Sequence, residues 1–205
     1  MALALFDFDG TITCRDSFAG FTKYLVGKTR FYLGVACLMP VVAGFFLGFI
    51  RAWRAKELMS MLFFRGRDVR EFEESASRYS REELPGIVRK IAVERIEWHQ
   101  QRGDTVVVVS ASIDSWLKGW CETHGVDLIA TELEAKEGRI SGKFLTRNCS
   151  GREKVRRITE RYDLSDFDCI YAYGDSPGDR PMLAIANERY YRWRRVRPAA
   201  AMTTD

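Results

Sequence analysis

The sequence predicts an α/β fold, a doubly wound parallel sheet with an inserted α-helical cap. Two apolar runs, residues 2–8 and 105–109, put bulky or β-branched side chains on both faces, as buried parallel strands do. Two acidic motifs, Asp7-Phe8-Asp9-Gly10-Thr11 and Gly174-Asp175-Ser176-Pro177-Gly178-Asp179, each follow an apolar run directly, at the strand ends where α/β proteins place ligands. The stretch from about residue 16 to 102 is helical in character and far too long for one connection, which marks it as an insertion. The expected division is a core of residues 1–15 and 103–205 and a cap of residues 16–102.

Along the chain, the first strand covers residues 2–8 and the second the run Thr-Val-Val-Val-Val at 105–109. Ile113, Trp116, Leu117, Trp120 and Cys121 then repeat at helical spacing and give one helix an apolar face. Further strands are expected at 127–131, 169–173 and 189–193. Glu137-Gly138 and Ser141-Gly142 mark turns around a small hairpin. Ser150-Gly151-Arg152-Glu153 reads as a capping box opening a helix that continues through Val155, Ile158 and Tyr162. Strands alternating with helices in this way build a parallel, doubly wound sheet.

Composition narrows the function classes. A length of 205 residues with 46% hydrophobic content suits a globular core with an insertion, with disorder expected only in the tail 198–205. The net charge of +4, partly gathered in Arg189, Arg192, Arg194, Arg195 and Arg197, suits an anionic substrate or an anionic membrane surface. No helix-turn-helix, zinc-finger or aromatic single-strand-binding pattern is legible, so nucleic acid is not an expected partner. Cys14, Cys37, Cys121, Cys149 and Cys169 form no C-x-x-C pair and are odd in number, which points to a reducing compartment, the cytoplasm. The first residues carry no basic n-region and run at once into Asp7 and Asp9, so no secretory leader is expected. His99 and His124 make no zinc cluster and are expected on a helix surface or in a loop.

The acidic motifs carry a specific chemistry. An aspartate on a strand end can attack phosphorus to give an aspartyl-phosphate that water hydrolyses, while a second acid two residues later protonates the leaving oxygen. Asp7 and Asp9 have that spacing, and period-two alternation would point both the same way, with Gly10 letting the backbone turn tightly over a phosphate. Asp7 and Asp175 supply the hard oxygen ligands that hold magnesium. Ser110 at the end of its strand and Lys154 near the start of its helix are placed to meet phosphoryl oxygens, with Thr11, Ala111 and Ser112 as neighbours of that site.

These pieces, in this order, resemble the haloacid dehalogenase (HAD) superfamily, in its phosphoserine-phosphatase-like subfamily IB. They are D-F-D-G-T at Asp7, V-V-V-V-S-A-S through Ser110 and Ser112, G-R-E-K at Lys154 and Y-G-D-S-P-G-D-R-P-M-L from Tyr173. The resemblance implies a Rossmann-like core and a magnesium-dependent phosphomonoester hydrolase. It implies Asp7 as nucleophile, and Asp9 as general acid/base and as a magnesium ligand through its carbonyl. It further implies Ser110 and Lys154 as phosphate binders, Asp175 as a magnesium ligand, and Asp179 as a support behind the metal. The reading from another class is a non-catalytic HAD-like module that binds phosphorylated ligands, and the intact set Asp7, Asp9, Lys154 and Asp175 argues against it.

Inside the cap, residues 31–50 contain no charged side chain, are broken by Pro40, and are flanked by Lys28 and Arg30 on one side and Arg51, Arg54 and Lys56 on the other. A simple span would leave Asp7 on one side of a bilayer and Ser110, Lys154 and Asp175 on the other, so it is excluded. Two readings stand: a bent pair of helices dipping into one leaflet at the inner membrane face, or the core of the cap or of a homodimer contact. Phosphoserine phosphatases resemble the chain in the core, but carry a glutamate where Asp16 stands and a cap arginine near Met59 or Ser60, which leaves Arg65 or Arg67 as a substitute. In a looser match, the cap resembles that of bacterial HAD-type phosphatidylglycerophosphate phosphatases through Asp16, Phe18, the proline-interrupted apolar run and Met59-Ser60. Asp16, Phe18 and Arg65 are therefore the specificity candidates. The expected substrate is a lipid-like phosphomonoester, with a soluble metabolite such as phosphoserine as the alternative.

Overall fold

Alternation of side chains along the central strands sorts two cores onto opposite faces of one sheet. The computed structural model describes residues 1–40, 44, 47 and 51–196. Its sheet contains β1 (Ala2–Phe6), β2 (Thr105–Ile113), β3 (Asp127–Thr131), β6 (Cys169–Gly174), β7 (Glu188–Tyr191) and β8 (Arg194–Val196), in the order β3-β2-β1-β6-β7-β8. All neighbours pair in parallel except β7 with β8. Leu3, Leu5, Val107, Val109, Ile170 and Ala172 enter one core, together with Ile158 and Met182. Ala4, Phe6, Val106, Val108 and Tyr173 enter the other. β4 (Leu133–Lys136) and β5 (Arg139–Phe144) form a separate antiparallel hairpin.

The chain leaves the sheet at Thr13 and returns at Val88, and these two residues bridge antiparallel to each other. Backbone bonds from Cys14 N to Ile87 O and from Arg89 N to Ile12 O, both 2.8 Å, close this neck. Beyond it lie α1 (Ser17–Val26), α2 (Lys28–Cys37), α3 (Ala52–Phe64) and α4 (Val69–Glu82). After it, α5 (Lys90–Gln101) lays Ala92 and Ile96 on the sheet, and α6 (Asp114–Thr123), α7 (Arg152–Arg161) and α8 (Arg180–Ala184) follow. The apolar face read at Ile113, Trp116, Leu117, Trp120 and Cys121 is buried throughout. Phe21 of α1 stacks on Trp116 at 4.6 Å, and Phe64 meets Phe72 edge-on at 5.3 Å, so the inserted helices share one aromatic core with α6.

The structure corrects several local expectations. The first strand stops at Phe6, because Gly10 (φ +88°) turns the chain within the next residues. Residues 189–193 are not one strand: Arg192 and Trp193, with φ of 50° and 64°, make the turn between β7 and β8. Ser141-Gly142 lies within β5 and is no turn; at Gly142 (φ +82°) a Cβ would stand 2.5 Å from Met61 Cα, so the glycine lets α3 approach the hairpin. The Ser150 capping box does not form: Gly151 occupies the cap position without a side-chain bond, and Glu153 pairs with Arg156 and Arg157 instead. His99 is fully buried, not on a surface. Its Nδ1 and Nε2 each lie 2.9 Å from a partner, Asp104 Oδ2 and Tyr173 Oη.

At the sheet edge, Arg157 and Arg161 reach back from α7 and donate to the Ala130 and Leu128 carbonyls of β3, at 2.5 and 2.8 Å. Of the apolar segment, positions 41–43, 45, 46 and 48–50 lie outside the described residues, as do Arg197 and the tail 198–205. No described helix is long and apolar enough to cross a membrane.

Candidate active site

Two strands end side by side and deliver the acidic loops. Asp7 follows β1 in extended conformation, and its N–H donates to Tyr173 O at 2.9 Å, holding it against the end of β6. The chain then makes a wide turn closed by Thr13 N donating to Phe8 O at 3.0 Å. A Cβ on Gly10 would stand 2.3 Å from Asp175 Oδ2, and one on Gly174 would stand 2.5 Å from Asp179 Cβ. Gly10 is therefore required for the two loops to come this close, and Gly174 for the second loop to fold back on its own Asp179.

The approach brings together carboxylate oxygens of Asp7, Asp175 and Asp179, all within 4.8 Å of one another. Lys154, in the first turn of α7 and only 1% exposed, places its Nζ 2.5 Å from Asp7 Oδ1 and 2.6 Å from Asp179 Oδ1. The second oxygen of Asp179 accepts from Ser176 N (2.9 Å), Ser176 Oγ (2.7 Å) and Asp175 N (3.2 Å). Thr11 Oγ1 donates to Asp175 Oδ1 at 3.3 Å. Asp179 thus turns back to organise its own loop and does not cap α8.

Three carboxylates against one ammonium leave the cluster with an excess of negative charge. Burial pushes Asp7 up to about 7, with Lys154 opposing and Asp179 and Asp9 reinforcing. Burial and the neighbouring Asp179 also raise Asp175. At Asp179 burial works in the same direction, but Lys154 and the Ser176 bonds outweigh it and hold the carboxyl below its ordinary value. A set of hard oxygen donors, close together and short of positive charge, fits magnesium.

Asp9 has hydrogen-bond partners of its own, although its charge acts on Asp7. Its Oδ1 accepts from Ser17 N at 2.7 Å and its Oδ2 from Ser112 Oγ at 2.5 Å. Burial, then Asp16, raises its pKa, and Lys56 opposes. Ser110 Oγ accepts from the Ser112 backbone N–H at 3.0 Å, so the Ser110 hydroxyl is held near the end of β2, while the Ser112 hydroxyl is engaged by Asp9. Ala111 O accepts from Lys56 Nζ at 3.1 Å and from Thr131 Oγ1 at 3.2 Å.

A profile of the haloacid dehalogenase-like hydrolases matches residues 4–184, a span that holds every residue of this site. The chain belongs to this family. Among related proteins, Protein CicA of Caulobacter vibrioides (strain NA1000 / CB15N) is 36% identical over 199 residues, covering 96% of this chain and 88% of CicA. A Bordetella pertussis Tohama I protein of unknown function superposes with a TM-score of 0.81 at 25% identity, over 93% of this chain and 89% of that one. A substrate-bound phosphoserine phosphatase matches with a TM-score of 0.62 at 21% identity, over 92% of this chain and 84% of that one.

In this HAD-like hydrolase, Asp7, Lys154, Asp175 and Asp179 are brought together, with Thr11 joined through Asp175, while Asp9, Ser110, Ala111 and Ser112 form a second set with Ser17 and Lys56. The specificity candidates separate. Asp16 caps α1 by accepting from Ala19 N at 2.7 Å, and reaches Asp9 only through its charge. Phe18, 3% exposed, is part of the aromatic core, tilted against Phe64. Arg65 is exposed at the C-terminal end of α3, roughly 13 Å along the helix from Lys56. Sequence reasoning missed Lys56, which it counted only as a basic flank. Lys56 Nζ also lies 3.4 Å from Ser112 Oγ and 5.1 Å from the Phe18 ring centre, and nothing in the sequence distinguishes it from its basic neighbours. Ser17, whose N–H holds Asp9, was likewise unmarked.

Proposed function

We propose that this hydrolase is a magnesium-dependent phosphomonoester phosphatase that works through an aspartyl-phosphate on Asp7, with a lipid-like phosphate at a membrane surface as substrate. The observation that carries the reaction is the pairing of two separately held carboxylates. Asp7 sits in the acidic cluster gripped by Lys154, and Asp9 stands apart on Ser17 and Ser112. An Asp7 oxygen attacks phosphorus as the ester bond breaks, and Asp9, its carboxyl raised by burial, gives its proton to the leaving oxygen. Asp9 then takes a proton from the water that attacks the acyl phosphate, which frees inorganic phosphate and restores Asp7. Lys154, Ser110 and Thr11 orient the phosphoryl oxygens, with Ala111 flanking them. Asp7, Asp175 and the Asp9 carbonyl would hold magnesium, with Asp179 supporting them, and the ion when bound offsets the charge of nucleophile and phosphoryl group together.

The helices beyond the Thr13–Val88 neck are read as the cap; α5, which follows the neck, goes with the sheet, so the cap ends nearer residue 87 than 102. The cap supports the lipid reading. Tyr32, Leu33, Met39, Leu47, Trp53 and Leu62 are exposed, and Lys28, Arg30, Arg51 and Arg54 are exposed around them. The test is phosphate release from a panel that includes phosphoserine and phosphatidylglycerophosphate in mixed micelles, with magnesium and with chelator. Magnesium-dependent release that favours the micellar ester is the expected result. Release from soluble esters alone would replace the lipid by a metabolite, and release from none would favour a phosphate-binding module.

A further inference from the structure

The hairpin that ends the sheet turns on two bulky residues. Arg192 and Trp193 alone separate the paired residues Tyr191 and Arg194, and both take a positive φ, 50° and 64°. A two-residue hairpin turn of this sign favours Asn-Gly, because a large side chain on Cβ disfavours the left-handed region. The strand beyond the turn, β8, is three exposed residues, so the hairpin has little burial of its own to offset that preference. A backbone conformation that its own residues resist persists where the surrounding structure holds it, and such positions gather at functional sites.

The surroundings that hold this turn are the two acidic loops. Trp193 sets its ring against Tyr173 at 5.6 Å, and its Nε1 donates to Thr11 O at 3.2 Å, in the loop that follows β1. Arg192 reaches the loop that follows β6 with both backbone and side chain: its N donates to Gly174 O at 2.8 Å and its Nε to Asp175 O at 3.2 Å. Thr11 Oγ1 donates in turn to Asp175 Oδ1 at 3.3 Å, so the turn and the two loops form a closed circuit of bonds. The circuit ends on the carboxylate that Lys154 does not grip. Lys154 Nζ bonds Asp7 and Asp179, which among the described residues leaves the Asp175 side chain to Thr11. Like charges on Asp7, Asp175 and Asp179 push the second loop away from the first, and the circuit opposes that push. An Asn-Gly turn would suit the backbone better and would give up the indole and guanidinium bonds.

We infer that Arg192 and Trp193 are positioning residues: their strained turn clamps the two acidic loops together and keeps Asp175 close enough to Asp7 for both to reach one cation. The inference rests on the magnesium site proposed above and gives that site a support from outside the acidic motifs. The test replaces the turn by Arg192→Asn/Trp193→Gly, the pair that this backbone prefers. In calorimetric titration of the metal-free full chain with magnesium chloride, the Kd is expected to weaken about tenfold in the double variant. Trp193→Phe keeps a ring against Tyr173 and loses the bond to Thr11, so its Kd should fall between the two; it carries the test if the double variant does not fold. A turn that served hairpin stability alone would leave the affinity of both variants at the wild-type value. Hydrogen exchange in chelator reads the clamp without metal: peptides covering residues 7–13 and 174–179 should exchange faster in both variants than in wild type. A wild-type Kd in a folded variant overturns the inference and leaves the magnesium site standing, and unchanged exchange in both loops overturns it as well. If the wild type binds no magnesium, the magnesium reading falls, and the exchange rates alone decide the clamp.

Discussion

Asp7→Asn is expected to abolish turnover and, in metal-free protein, to make the fold more stable at neutral pH. The reasoning starts from the buried carboxylate. Asp7 titrates near 3.8 in an unfolded chain and near 7 in the folded one, chiefly because burial penalises its charge. Between those values the folded state binds the extra proton, so the Asp7 contribution to stability is full below 3.8 and is lost as pH rises toward 7. At about 1.36 kcal/mol per pH unit, the loss comes to about 4 kcal/mol. Asparagine carries no charge at any pH and escapes it. Urea unfolding of both proteins in chelator, from pH 4 to pH 8, should show a gap near zero at pH 4 that widens to a plateau above pH 7 in favour of the variant. The difference is the right quantity, because other groups tilt the wild-type curve in the opposite sense. Saturating magnesium should close the gap by stabilising the wild type selectively. A gap that does not change with pH, or a metal-free variant less stable than wild type at pH 8, would refute the account of the cluster as an electrostatically strained site.

The remaining predictions concern the loops, the metal and the core. Gly10→Ala forces a Cβ against Asp175 at φ +88° and should cost about 1–3 kcal/mol while weakening magnesium binding, read as a smaller rise of Tm with added magnesium; wild-type magnesium affinity would contradict the close-approach argument. Asp175→Asn should flatten the dependence of Tm on magnesium concentration, and retention of the wild-type slope would remove Asp175 from the metal site. His99→Leu leaves the Tyr173 hydroxyl without its partner and takes one donor from Asp104, which keeps Ala2 N and Arg102 Nε, and should cost about 2–3 kcal/mol in urea unfolding without loss of kcat. Burial lowers the His99 pKa below 6.5, so the unfolded chain binds its proton first and wild-type stability declines as pH falls below that value. The leucine variant should lack that part of the slope, and an unchanged profile would count against it.

The parts of the fold that were legible in the sequence are those set by strong local constraints. A run of valines buried on both faces has few alternatives, and β2 extends the expected strand without moving it. The acidic motifs located the site because carboxylates that follow buried strands need a partner, and Asp7, Lys154, Asp175 and Asp179 do meet. What could not be read depends on contacts between distant segments. Lys56 reaches Ala111 only because α3 folds over β2. His99 falls in register with Ala92 and Ile96 on the buried face of α5, a spacing that was visible, but its acceptance there depends on Asp104 and Tyr173. The β7–β8 turn was hidden for a different reason. Two-residue hairpin turns are usually announced by Asn-Gly or Asp-Gly, whereas here Arg192 and Trp193 take the left-handed conformations. Trp193 Nε1 donates to Thr11 O at 3.2 Å and Arg192 N to Gly174 O at 2.8 Å, so tertiary bonds to both acidic loops support a turn that its own residues disfavour.

The arginines laid along β3 bear on how the molecule behaves at high concentration. An edge strand normally advertises its backbone to any extended chain nearby, and recruitment of such a chain is a common first step toward fibres and exchanged dimers. Here the acceptors at Leu128 and Ala130 are occupied by charged side chains from the molecule's own α7, so an incoming strand would have to displace two guanidinium groups before it could dock. The opposite border, β8, is three residues long and carries Arg194 and Arg195, which repel a second copy of themselves. Both borders of the sheet are thus closed to self-extension. If copies of this chain do associate, the exposed apolar side chains of the inserted helices are the more favourable place for them to meet.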